Sequence, residues 1–170
     1  MQSAEAFDLV DTLLNLKPDS KTWQARQFRE KVKNGTQSSY AALFSPDLSL
    51  ALQDRWLVAL YASSLMNAHE LTTHYTEQAL QAGIDEKLVQ MVAQDHVEDI
   101  GKSELNSALQ FTKKLILDPI EGNEDALLTL KKSGMSTQDV VVLGQLIGFL
   151  AYQIRLVAGL KAMQKLEQAA

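Results

Sequence analysis

The stretch that decides the fold is Asp54–Gly83, DRWLVALYASSLMNAHELTTHYTEQALQAG. From Ala51 onward, Leu57, Leu60, Tyr61 and Leu65 recur at helical spacing, and Met66-Asn67-Ala68 makes a weak break. A second helix then runs to Gly83, a residue suited to the left-handed conformation that ends helices. The stretch therefore reads as two consecutive helices, and it sits in a chain with no cysteine. Disulfide exchange and thiol attack on a peroxide are excluded, because in both the nucleophile is an ionised sulfur.

The same punctuation extends outward. Ser3 precedes AEAFDLVDTLLNL, whose apolar residues Phe7, Val10, Leu13 and Leu14 keep helical spacing until Lys17-Pro18. A second helix is expected from about Ser20 to Asn34-Gly35, and a short third over QSSYAALF before Ser45-Pro46. Beyond Gly83, Asp85 opens a short helix, and QDHVEDIGKS reads as an acidic linker. Ser103 caps ELNSALQFTKKLIL, Asn123 precedes EDALLTLKKS, and Ser136 with Asp139 forms a capping signal for a long final helix. The strings QAGIDEKLV and KSGMSTQDV match in kind: helix end, glycine, apolar residue, cap, new helix. They are read either as two instances of one common connection or as an internal helix-turn-helix duplication. The fold class is all-α in either case. One domain over residues 1–170 is expected, with N-terminal helices over 1–50, a core helix pair and short helix over 51–93, and C-terminal helices over 94–170.

Composition bounds the function. The 170 residues are 46% hydrophobic and 22% charged, a globular balance long enough for a real core. A net charge of −5 argues against nucleic acid or an anionic membrane surface as partner, since both reward a basic patch. The acidic Met1 end lacks the basic start and apolar core of a signal peptide, so a cytoplasmic location is expected. In the final helix, the apolar run Val140–Leu150 is short for a span and is followed by Gln153 and Arg155, which predicts a buried helix rather than a membrane segment. Gly144, Gly148 and Ala151 share one stripe, which Arg155 continues. The two glycines point to close backbone approach by another helix, of this chain or of a second copy. Arg155 then needs a partner, read as a structural ion pair, an oligomer contact, or a bidentate grip on a substrate carboxylate.

The titratable clusters are weak signals. His69 and His74 are five apart, on different sides of a helix, so HELTTH does not form a zinc motif; no metal or cofactor site is expected. Glu70 and His74 share a face, as a surface ion pair or as an acid–base pair.

The block RWLVALYASSLMNAHELTTHYTEQALQAGIDEKLV resembles the core of the carboxymuconolactone decarboxylase and alkylhydroperoxidase D-like superfamily. Its members read approximately relvaLavaalngC-x-x-C-x-x-x-H, followed by a helix ending in glycine. The blocks ALQFTKKLILDP and LKKSGMSTQDVVVLGQLIGFLAYQIRLVAGL are similar to the second half of its peroxidase-related branch, and ARQFREKVKNGTQSSYAALFSP to proteins described only as carrying a CMD domain. The resemblance implies that superfamily's helical fold and a homo-oligomer, dimer or larger. Counting back from Gly83, the motif histidine falls on Tyr75, the two cysteines on Leu71 and Ala68, and the relay glutamate on Trp56. A one-residue slip puts His69, Thr72 and Thr76 on the cysteine and histidine positions instead, and no thiol appears there either. Trp56, Ala68, Leu71 and Tyr75 are thus expected to line either a remodelled apolar pocket or a filled core. Three roles remain. The first is a non-redox enzyme or binder of a small carboxylic acid or lactone, with Tyr75, Glu70 and His74 as candidate catalytic groups and Arg155 as anion grip. The second is a non-catalytic assembly subunit; the third, a thiol peroxidase, is denied by the residues.

Overall fold

A computed structural model describes residues 7–101 and 103–169. Among these the chain forms nine α-helices and no strands: α1 (Leu9–Leu13), α2 (Lys21–Gln27), α3 (Glu30–Leu43), α4 (Leu52–Leu65), α5 (His69–Gln81), α6 (Glu86–Ala93), α7 (Glu104–Leu117), α8 (Glu124–Lys132) and α9 (Thr137–Gln168). Short 3-10 turns at Val97–Ile100 and Pro119–Glu121 flank α7.

The organising element is α4, in which every residue from Arg55 to Ser63 is buried. A helix buried on all sides needs apolar residues all round rather than on one stripe. Accordingly α5, α6, α7 and α9 all pack on it. The chain continues as two trios with the same logic. Helices α4, α5 and α6 pack mutually, as do α7, α8 and α9, and α4 and α7 meet in the centre.

Within each trio the connection at the glycine is the same. Gly83 (φ 76°) and Gly134 (φ 110°) adopt the left-handed region. Ile84 donates to the Ala79 carbonyl at 3.2 Å and Met135 to that of Leu130 at 3.3 Å, closing the last turn of α5 and of α8 in one manner. Asp85 and Ser136 then cap the next helix, accepting from the amides of Leu88 and Asp139. The Ser136–Asp139 capping box expected from sequence is complete.

Three boundaries differ from expectation. The chain does not stop its second helix at Gly35: α3 runs straight through it, and the break falls at Phe28-Arg29. The reason is tertiary. Arg26 on α2 is tied to Asp8 (2.7 Å) and Asp11 (2.8 Å), whereas Thr36 on α3 meets Tyr152 of α9 at 3.0 Å, and one straight helix does not serve both anchors. The first helix starts at Leu9 with Asp8 as its cap; the proposed Ser3 cap lies outside the described residues. The acidic linker is not a passive tether. Asp95, at φ 61°, accepts from the Tyr61 hydroxyl and from Lys113 Nζ at 2.7 Å, fastening the linker to α4 and α7.

Among the described residues, α9 is the one helix long and apolar enough to cross a membrane. Its inner face, Leu143, Leu146, Leu150 and Ile154 among others, is instead buried in the core. Its far end serves the N-terminal helices: the Glu167 carboxylate accepts from the Lys21 (2.7 Å) and Thr22 (3.1 Å) amides at the start of α2, where a negative charge meets the helix dipole favourably.

Candidate functional site

The four positions singled out by the motif count come together, but not around a space. Trp56 on α4 is 7% exposed, and Leu71 and Tyr75 on α5 are fully buried. Ala68, which caps α5, packs against the same core. The volume between them is occupied by Phe44, the residue that ends α3. Its ring stacks on the Trp56 indole with centroids 3.9 Å apart and planes 9° from parallel, and it lies 5.8 Å from the Tyr75 ring. Trp56 and Tyr75 complete the triangle at 6.2 Å. Aromatic pairs in such geometries contribute about 0.5–1.5 kcal/mol each beyond the area they bury. An open pocket lined by Trp56, Ala68, Leu71 and Tyr75 is therefore not what the chain builds. Trp56, Leu71 and Tyr75 pack as core, and Phe44 closes over them.

Tyr75 still needs a partner for its hydroxyl, since a buried donor left unmade is expensive. It donates to Gln153 Oε1 at 2.5 Å, and Gln153, 1% exposed on α9, is the buried polar residue that α9 brings to meet it. Burial and the neighbouring Tyr40 push the Tyr75 phenol far above its ordinary value, which bars it from acting as a base near neutral pH. In the alternative register, the Thr72 hydroxyl shares its one proton between Ser63 Oγ (3.2 Å) and the Ala68 carbonyl (3.1 Å), while His69 is exposed. Neither register holds a thiol.

The remaining candidates separate. Glu70 does not pair with His74; it forms an ion pair with Lys161 of α9, which holds its carboxyl below the usual range. His74 instead bonds through Nε2 to the Tyr40 hydroxyl at 2.9 Å, linking α5 to α3. Burial lowers the His74 pKa, with Glu77 pulling the other way, and raises that of Tyr40 to about 12. His74 of this pair borders a surface hollow of about 580 Å3 between α1 and α5, which Glu70 and Glu77 also line. Among the described residues no cluster of three or more acidic or histidine side chains is placed to hold a metal ion.

Arg155 is exposed, as are Gly144 and Gly148, and its guanidinium donates to the Ala151 carbonyl of its own helix at 2.7 Å. Of the two readings of that stripe, packing against a helix of the same chain is not what is found: it faces outward, because α9 turns Leu143, Leu146 and Leu150 toward α4. The arginine that is completely buried is Arg55, which sequence reading passed over. Its Nε donates to the Leu50 carbonyl (2.8 Å), its Nη1 to Leu43 (2.5 Å) and its Nη2 to Ser45 (2.8 Å). It has no carboxylate partner among the described residues, and desolvation lowers its pKa. The available signal was a charge followed by thirteen residues without one, Trp56–Ala68, in a run too apolar to leave it in water.

Two solved structures share this architecture. An uncharacterized peroxidase-related protein from Silicibacter sp. TM1040 superposes with a TM-score of 0.71 at 18% identity, over 78% of this chain and 69% of that one. An uncharacterized peroxidase-related protein from Ralstonia eutropha JMP134, described as an alkylhydroperoxidase AhpD core, gives 0.71 at 15% identity over 89% and 82%. No protein-family model and no curated protein matches the sequence significantly. At these identities the likeness is one of fold, and the chain has the alkylhydroperoxidase D-like fold. It carries that fold without any cysteine.

Proposed function

We propose that this chain is a non-redox relative of the peroxidase-related alkylhydroperoxidase D-like proteins in which the thiol site has become core, and that it acts as a non-catalytic, self-associating subunit. The observation that carries this reading is the stacking of Phe44 on Trp56 over the buried Leu71 and Tyr75, which leaves a substrate nowhere to sit beside the vacated positions. Self-association is supported by the outer face of α9. Val141, Gly144, Gly148, Tyr152, Gly159, Met163 and Leu166 are exposed along it, with Arg155 as its one full charge. A face so poor in charge on a helix of 32 residues is costly to leave in water, and small residues on it permit close approach by a second copy. Light scattering on the full chain tests this: a mass of two or more 18.8 kDa chains is expected, and a mass of one chain overturns it.

One observation favours a second reading, a small-molecule enzyme working by acid–base chemistry. His74, biased toward its neutral form and oriented by Tyr40, faces a hollow bordered by Glu70 and Glu77, an arrangement open to a small carboxylic acid or lactone. Thermal-shift screening against such compounds separates the two readings. Stabilisation that disappears in His74→Ala supports the enzyme, and a flat response supports the assembly subunit.

A further inference from the structure

Away from the vacated thiol positions, α2, α3 and α9 border an open groove of about 230 Å3. Its wall is hydrocarbon, supplied by Val32, Leu156, Leu160 and Met163 and by the ring of Tyr152. The polar atoms at its floor are spent on one another. Thr36 Oγ1 donates to the Val32 carbonyl at 2.8 Å, so the Tyr152 hydroxyl, 3.0 Å away, donates to Thr36. Nothing there competes for water.

Charge is confined to one side, where Arg26, Arg29 and Lys33 line the groove. Two of the three are already matched. Arg26 holds Asp8 and Asp11 at 2.7 and 2.8 Å, and Lys33 lies 3.3 Å from Asp11. Arg29 meets no carboxylate within 4.0 Å among the described residues, and its sequence neighbour Glu30 lines a different hollow, with Trp23 and Asn34. Three cations against two carboxylates leave the exposed Arg29 guanidinium at the edge of an apolar groove.

We propose that this groove binds a short-chain amphipathic monocarboxylate, its tail among Leu156, Leu160 and Met163 and its carboxylate on Arg29. The planar guanidinium fork matches a carboxylate bidentately, whereas a cationic or neutral head would leave Arg29 unmatched. The volume is below the roughly 300–1,000 Å3 of pockets that take drug-sized ligands, so the occupant is a fragment-sized molecule on the scale of octanoate. The groove is lined by one chain and does not involve His74; because Tyr152 and Met163 also lie on the outer face of α9, its occupant and a second copy would compete for it.

Calorimetric titration of octanoate into the full-length protein tests it, with octanol and octyltrimethylammonium as controls. Saturable binding of one octanoate per chain is expected, with octanol weaker and the cation silent. Arg29→Ala is expected to weaken octanoate at least about fivefold, the loss of a charge-assisted pair at a partly wet site. Ala25→Trp, at an exposed position on the groove's edge, is expected to abolish binding by filling the mouth. Circular dichroism checks that both surface variants remain folded. The proposal is overturned by absence of saturable binding at millimolar octanoate, by octanol binding as tightly as octanoate, or by unchanged affinity in either variant.

Discussion

A guanidinium buried without a carboxylate survives at position 55 because it completes the end of another helix. Leu43 and Ser45 present carbonyls at the C-terminus of α3, where backbone oxygens are unpaired and carry partial negative charge, and Arg55 gathers them together with that of Leu50. Arg55→Met is expected to destabilise the fold by about 3 kcal/mol or more, since orphaned buried acceptors cost about 1–3 kcal/mol each. Urea denaturation measures it, and a loss under 1 kcal/mol would mean that water replaces the guanidinium. Tyr75 and Gln153 offer a cleaner comparison. Tyr75→Phe strands the Gln153 carbonyl oxygen and should cost about 1–3 kcal/mol, whereas the double variant Tyr75→Phe/Gln153→Leu strands nothing and should recover much of that. If the double variant is as unstable as the sum of the singles, the bond is not what joins α5 to α9.

At the scale of elements, two features are exposed to test. Gly83 and Gly134 perform the same turn, but a Cβ at Gly83 would meet open space while one at Gly134 would lie 2.5 Å from Glu104 Oε1. Gly83→Ala should cost about 1–2 kcal/mol for the left-handed backbone alone, and Gly134→Ala should cost more because Glu104 must also move. Equal losses in thermal denaturation would show that the Glu104 side chain yields freely. The second feature is the Tyr40–His74 bond between α3 and α5. Because burial holds the His74 imidazole below its ordinary value of 6.5, the unfolded chain takes up its proton first as the pH falls. The contribution of neutral His74 is fully present above about pH 6.5 and is lost as the pH drops through and below it. His74→Gln, which keeps a hydrogen-bonding group but no titration, should flatten the stability profile between about pH 7 and 5. A slope unchanged by that substitution would assign the pH dependence to other groups.

For the molecule as a whole, the closure of the Trp56, Leu71 and Tyr75 positions and the uncovered outer face of α9 lead to the same expectation: the chain's business is done at its surface. Val141→Glu combined with Gly148→Glu places two charges on that face and should reduce the light-scattering mass to one chain, without loss of helical signal by circular dichroism. Hydroperoxide consumption with any thiol reductant should be absent. Turnover abolished by His74→Ala would return the molecule to catalysis.

The sequence by itself determined the all-α fold, the helix pair at Asp54–Gly83, the glycine turns and caps, and the exclusion of thiol chemistry. These are local matters, settled by spacing, by φ at a few positions and by which elements a chain contains. It also named the four vacated positions, because register along a helix is a matter of counting. Only the tertiary structure decided that those positions are closed, since Phe44 reaches Trp56 from a helix a dozen residues upstream. It likewise assigned Glu70 to Lys161 and His74 to Tyr40, pairings across 91 and 34 residues that no helical spacing reports. The two arginines show the division most clearly. Both lie in apolar helices, and the buried one is Arg55 rather than Arg155, because burial depends on which side of a helix the rest of the chain covers.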